Sequence, residues 1–97
     1  MQARLLSDVR GAMCMRQAQI GGEELLIQGT YTYLNIYKKN AAGEWYFSNS
    51  VRNFSHMAKN IEVDPHGNIW VQHMRKGLYR VRLDEALKQV TDLKQYD

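Results

Sequence analysis
The chain has 97 residues, 44% of them hydrophobic and 24% charged, with a formal net charge of +3. Those proportions belong to globular proteins and exclude disordered and collagen-like classes; at this length a chain forms at most one small domain and buries only about 60–65% of its surface, so the core is marginal. No apolar run approaches the roughly 18 residues that span a bilayer, and Met1-Gln2-Ala3-Arg4-Leu5-Leu6 lacks the apolar centre of a signal peptide.

Residues 1–11 are expected to be the tail of a preceding blade or disordered. Met13 to Ile20 reads as a strand. Gly21-Gly22 supplies the positive φ angles of a tight hairpin turn, and Glu24 to Gln28 returns as the next strand. Tyr33 to Lys38 is the third strand. Asn40-Ala41-Ala42-Gly43 forms a loop whose glycine suits a left-handed position, followed by Glu44 to Ser48 as the fourth.

The same series then restarts. Ala58 to Val63 is a strand, and Asp64-Pro65-His66-Gly67 is a type I turn with proline at its second position and glycine at its fourth. Asn68 to His73, Leu78 to Leu83 and Lys88 to Tyr96 follow, with Met74 to Gly77 as a turn and one helical turn expected at Asp84-Glu85-Ala86-Leu87. Matching Leu26-Ile27 with Trp70-Val71 and Ile36-Tyr37 with Leu78-Tyr79 gives offsets of 44 and 42 residues. Both fall near the length of a four-stranded propeller blade, about 40–50 residues.

The predicted fold is therefore all-β, two four-stranded antiparallel propeller blades at 12–53 and 54–97. Leu25-Leu26-Ile27 and Ile69-Trp70-Val71 are unbroken apolar triplets, so both faces of each second strand are expected to be buried, as between neighbouring blades. Two blades alone leave broad apolar faces, which predicts packing against further blades or a homo-oligomer.

Ile61-Glu62-Val63-Asp64-Pro65-His66-Gly67-Asn68-Ile69-Trp70-Val71, continued by Gly77-Leu78-Tyr79-Arg80-Val81, resembles the two-component regulator propeller repeat. That repeat joins an acidic residue, a turn ending in Gly-Asn, an aliphatic-Trp-aliphatic strand and Gly-Leu-Tyr. The first copy is degenerate: Gly22 and Leu25-Leu26-Ile27-Gln28-Gly29 keep the turn and strand, Leu34-Asn35-Ile36-Tyr37 stands for Gly-Leu-Tyr, and the tryptophan is missing. The resemblance implies a periplasmic sensor region of Bacteroidetes regulators. In such proteins many blades precede a membrane helix and signalling domains, and the propeller region responds to glycan-derived carbohydrates. This chain carries none of the signalling machinery itself.

Chemistry-bearing residues are few. His56, His66 and His73 match neither an i, i+4 pair nor zinc-site spacing, and Pro65 and His66 stand where a calcium loop needs alternating oxygens. Cys14 in Ala12-Met13-Cys14-Met15 has no base beside it and reads as core. Glu23-Glu24 and Asp84-Glu85 are adjacent pairs that point to opposite faces of a strand. No cofactor, metal or enzymatic activity is predicted. Seven Lys/Arg against four Asp/Glu in residues 1–60, and six of each in 61–97, form no concentrated basic face, so nucleic acid and direct membrane contact are not expected.

The remaining candidates lie in rim loops, where propellers present ligand contacts. Tyr31 and Tyr33 belong to one such turn, His73, Arg75 and Lys76 to another, and His56 to the connection between blades. Aromatics, amides and cations together suit an anionic sugar. The expected function is non-catalytic sensing of a carbohydrate ligand, with a self-associating β-sheet interaction module as the alternative.

Overall fold
Glycines, asparagines and aspartates that punctuate the sequence divide it into eight strands. The computed structural model describes residues 12–73 and 75–96; residues 1–11 and Met74, for which a preceding tail and a turn position were expected, lie outside the described residues. β1 (Ala12–Ile20), β2 (Glu23–Thr30), β3 (Leu34–Lys39) and β4 (Trp45–Ser50) form one antiparallel sheet. β5 (Asn60–Val63), β6 (Ile69–His73), β7 (Gly77–Leu83) and β8 (Val90–Tyr96) form a second, each sheet in simple sequential order. The all-β expectation holds, with two four-stranded sheets resembling propeller blades.

The turns follow their residues. Gly21 and Gly22 at φ 61° and 80° close the two-residue β1–β2 hairpin, the mirror-image geometry that glycine adopts without a Cβ penalty. Asn40 accepts backbone N–H groups from Ala42 and Glu44 on its side-chain oxygen, both at 2.9 Å, and shapes the β3–β4 turn. The expected helical turn at 84–87 is absent. Asp84 Oδ1 instead accepts the N–H of Lys88 at 2.8 Å, and Leu87 takes φ 60° with its side chain buried. This arrangement delays the last strand to Val90.

Asp64 explains the most specific part of the repeat sequence. Its Oδ1 accepts the backbone N–H of His66 and Asn68 at 3.0 and 2.9 Å, and its Oδ2 accepts Asn68 Nδ2 at 2.9 Å and the Trp70 indole N–H at 3.1 Å. One carboxylate thus ties the turn to the strand that leaves it. The Asn68 side-chain amide, with Trp70 and the two backbone donors, holds this carboxyl well below its ordinary value, because every donor favours the charged form. A depressed folded-state pKa contributes stability above the unfolded carboxyl's ordinary 3.8 and loses it as pH falls below that value. In urea melts, the stability gap between the natural chain and Asp64→Asn should therefore be constant at neutral pH and narrow below pH 3.8.

Pairing register determines how the sheets stack. Leu26 lies opposite Tyr37 in the first sheet, and Val71 lies opposite Tyr79 in the second. Aligning the tyrosines therefore aligns Leu26 with Val71, one residue beyond the Trp70 suggested by sequence matching. A slip of one residue exchanges the faces of a strand.

With that correction the packing is head to tail. Val71, Tyr79, Ile69 and Val81 of the second sheet pack against Leu25, Ile27, Leu34 and Ile36 of the first, forming the main core. Leu26 and Tyr37, equivalent to Val71 and Tyr79, lie on the opposite face of the first sheet beside Met15 and Trp45. Each sheet's tyrosine face thus points the same way along the stack, as in successive propeller blades. The expected double burial holds for Leu25, Leu26 and Ile27, but in the second sheet Trp70 is half-buried on the far face.

The inner strands β1 and β5 run side by side. Cys14 donates its thiol proton to the Ala58 carbonyl at 3.3 Å, and Arg16 Nε donates to the Ile61 carbonyl at 2.9 Å. Burial pushes the Cys14 thiol above its usual value, in keeping with its expected place among core groups.

Candidate functional site
The segment joining the sheets is fastened at both ends and in its middle. Val51 donates its N–H to the Leu34 carbonyl, Ala58 to Thr30 at 3.2 Å, and Lys59 to Gln72 at 2.8 Å. Between these anchors, Phe54 enters the core with 2% exposure. Its ring meets His56 edge to face at 5.2 Å and Tyr79 at 6.4 Å. His56 stacks on Tyr79, with ring centroids 4.5 Å apart and planes inclined by 25°.

The β6–β7 turn adds a second histidine to this cluster. His73 presents its edge to Tyr79 at 6.2 Å, and its Nδ1 accepts the backbone N–H groups of Arg75 and Lys76 at 3.0 and 3.1 Å. An Nδ1 that accepts carries no hydrogen, so the neutral ring holds its proton on Nε2. Gln95 Nε2 donates to the Lys76 carbonyl at 3.0 Å and ties the turn to β8. The Arg75 and Lys76 side chains remain exposed.

Burial lowers the His56 pKa below its usual value, and the neighbouring Lys76 and His73 lower it further. The carboxylates engaged elsewhere include Glu62 with Arg16, Asp92 with Arg80, and Glu23 and Glu24 with Lys38 and Lys39. Two imidazoles pack on the one buried Tyr79 ring.

Of the six residues expected from sequence, His56 and His73 come together here on Tyr79, and Arg75 and Lys76 join them through their backbone N–H groups. Tyr31 and Tyr33 do not. Tyr31 is 57% exposed on the β2–β3 turn, where Thr30 Oγ1 accepts the N–H groups of Thr32 and Tyr33. Tyr33 precedes β3 and donates its N–H to Thr30 Oγ1, while Tyr37, whose pKa is raised by burial, lies on the face turned away from the second sheet. There Gln28 Oε1 accepts Asn35 Nδ2 and the Tyr37 hydroxyl, both at 3.1 Å.

No family model, curated protein or solved structure matched this chain. Its chemistry rests on its own residues.

A concavity lies where the β1–β2, β5–β6 and β7–β8 turns meet. It has a volume of about 530 Å³, with Ile20, Leu83 and Leu87 as apolar lining and Glu23, His66, Arg82 and Glu85 as polar lining. Arg82 is committed to its wall, donating to Asn68 Oδ1 at 3.1 Å and the His66 carbonyl at 3.3 Å. Three turns distant in sequence build this cleft, so no local motif announces it. Among the described residues, no group of three His, Cys, Asp or Glu side chains is arranged to hold a metal ion.

Proposed function
We propose that this chain is a non-catalytic segment of a periplasmic sensory propeller, of the kind that serves two-component regulators, and contributes one sector of a site for a glycan-derived ligand. The observation that supports this reading is the head-to-tail stacking of the two sheets. It sets the connector beside the β6–β7 turn, where half-buried His56 stacks on the buried Tyr79 ring and exposed Arg75 and Lys76 follow His73. Aromatic faces with donors at their edges suit saccharides, which offer an apolar ring face and peripheral hydroxyls. Signalling then follows from a ligand that favours one arrangement of the receptor over another.

The test is NMR titration of the full chain with a panel of oligosaccharides. Shifts centred on His56, His73 and Tyr79 are the expected result; a panel that leaves these resonances unmoved overturns the assignment. Self-association is a second reading, favoured by the far face of the second sheet, where Trp70 and Tyr96 rings lie 5.7 Å apart beside half-buried Leu78. Light scattering distinguishes it: concentration-dependent dimers or larger assemblies support association through that face, and a monomer at all concentrations removes it.

A further inference from the structure
We propose that the cleft between the two sheets, at the end opposite the β6–β7 turn, binds a small organic cation: an ammonium group carried on a short aliphatic body. Its lining includes neither His56 nor His73, so it stands or falls independently of the saccharide reading.

The cleft is built by both sheets. The β1–β2 turn belongs to the first, the β5–β6 and β7–β8 turns to the second, and together they enclose about 530 Å³, within the roughly 300–1,000 Å³ of small-molecule sites. The β5–β6 turn closes against the first sheet, since a Cβ added to Gly67 would stand 3.6 Å from Ile20 Cγ2. The base is aliphatic. Leu87 is buried in the main core and Ile20 and Leu83 pack against it, so the packing that joins the sheets also holds this surface in place. A guest with an aliphatic body gains by covering it, in proportion to the apolar area removed from water.

Charge selects the other end of the guest. Glu23 lines the cleft from the first sheet and Asp84 and Glu85 from the second, against a single guanidinium, Arg82. Arg82 is engaged by Asn68 Oδ1 and the His66 carbonyl, and Asp84 Oδ1 by the Lys88 and Gln89 N–H groups. Glu23 pairs with Lys38 at 3.4 Å, a long contact at the surface. Glu85 is exposed and forms no ion pair among the described residues. One lightly held carboxylate from each sheet is thus open to an ammonium group, whereas an anionic guest would be repelled by all three acids.

The experiment is a methyl NMR titration of the 97-residue chain at constant ionic strength, which holds screening fixed. The probes are pentylammonium, 1-pentanol and pentanoate, alike in body and different in charge. Pentylammonium should shift the Ile20, Leu83 and Leu87 methyl resonances and bind about fivefold more tightly than pentanol for each carboxylate it meets, the upper end for an exposed ion pair. Glu85→Gln alters an exposed side chain and should reduce that preference by up to about fivefold, leaving the remaining resonances in place. Equal binding of pentylammonium and pentanol overturns the charge selection, as does a preference that survives Glu85→Gln and Glu23→Gln together. Tighter binding of pentanoate assigns the cleft to Arg82 and overturns the proposal, and unmoved methyl resonances with all three probes remove the site.

Discussion

Gly29→Ala should destabilise the chain by about 1–3 kcal/mol, the range for forcing extra volume into a packed core. A Cβ at this position would stand 2.6 Å from the Ala58 Cβ and 2.8 Å from Cys14 Sγ, with Ile61 Cδ1 at 3.1 Å. Two of those atoms belong to the second sheet or the segment leading into it. The glycine therefore sets how closely the sheets approach, and its requirement is for space: its φ is not in the left-handed region. Urea denaturation of Gly29→Ala measures the loss. Ala58→Gly combined with Gly29→Ala should recover part of it, because removing one methyl makes room for the other. If the single variant is as stable as the natural chain, the close approach does not govern sheet spacing.

Phe54→Ala should have the larger effect, about 3–5 kcal/mol for a buried aromatic truncated to a methyl. Small domains have only about 5–15 kcal/mol in total, so this variant should be partly or wholly unfolded at room temperature. Its ring is 2% exposed and touches both His56 and Tyr79, so the substitution removes core packing and the support of the histidine cluster together. Phe54→Leu retains most of the volume and should remain folded. Circular dichroism and urea midpoints separate the two variants, and a fully stable Phe54→Ala would mean that the connector contributes little to holding the sheets together.

Much of the fold is legible from local chemistry. Gly21-Gly22, Asn40 to Gly43 and Asp64 to Gly67 each announce a turn through residues with a specific conformational role, and strands occupy the intervals between them. Register is different in kind. Leu26-Ile27 resembles Trp70-Val71 in composition, yet strand partners fix Leu26 opposite Tyr37 and Val71 opposite Tyr79. Side-chain similarity within one strand does not carry that pairing, and a single-residue slip reverses the face. The helical turn expected at Asp84 fails for a related reason. Asp84 caps the N–H groups of Lys88 and Gln89, while Asn49, far away in sequence, donates to the Leu87 carbonyl at 2.9 Å and holds that left-handed residue in place.

The candidate site divides along the same line. His56, His73 and Lys76 could be selected as loop residues, but their convergence depends on Tyr79, which the sequence presents as a packing residue. Tyr33 sits in the β2–β3 turn, bonded to Thr30, and none of the aromatic contacts around Tyr79 includes it, so membership of a rim turn does not join it to the histidines. The cleft containing Arg82 escaped notice because its walls come from both sheets.

The common orientation of the tyrosine faces also bears on how such a chain changes by copying. A sheet that presents one surface forward and a different, complementary surface behind is a directional unit, like a tile with a peg and a socket. A tandem duplicate of one sheet would arrive already carrying the surface that its predecessor needs. A stack built from self-matching faces would be finished after a single pair; this one can lengthen by whole sheets, and point changes such as Trp70 on the far face then adjust the fit of each new neighbour.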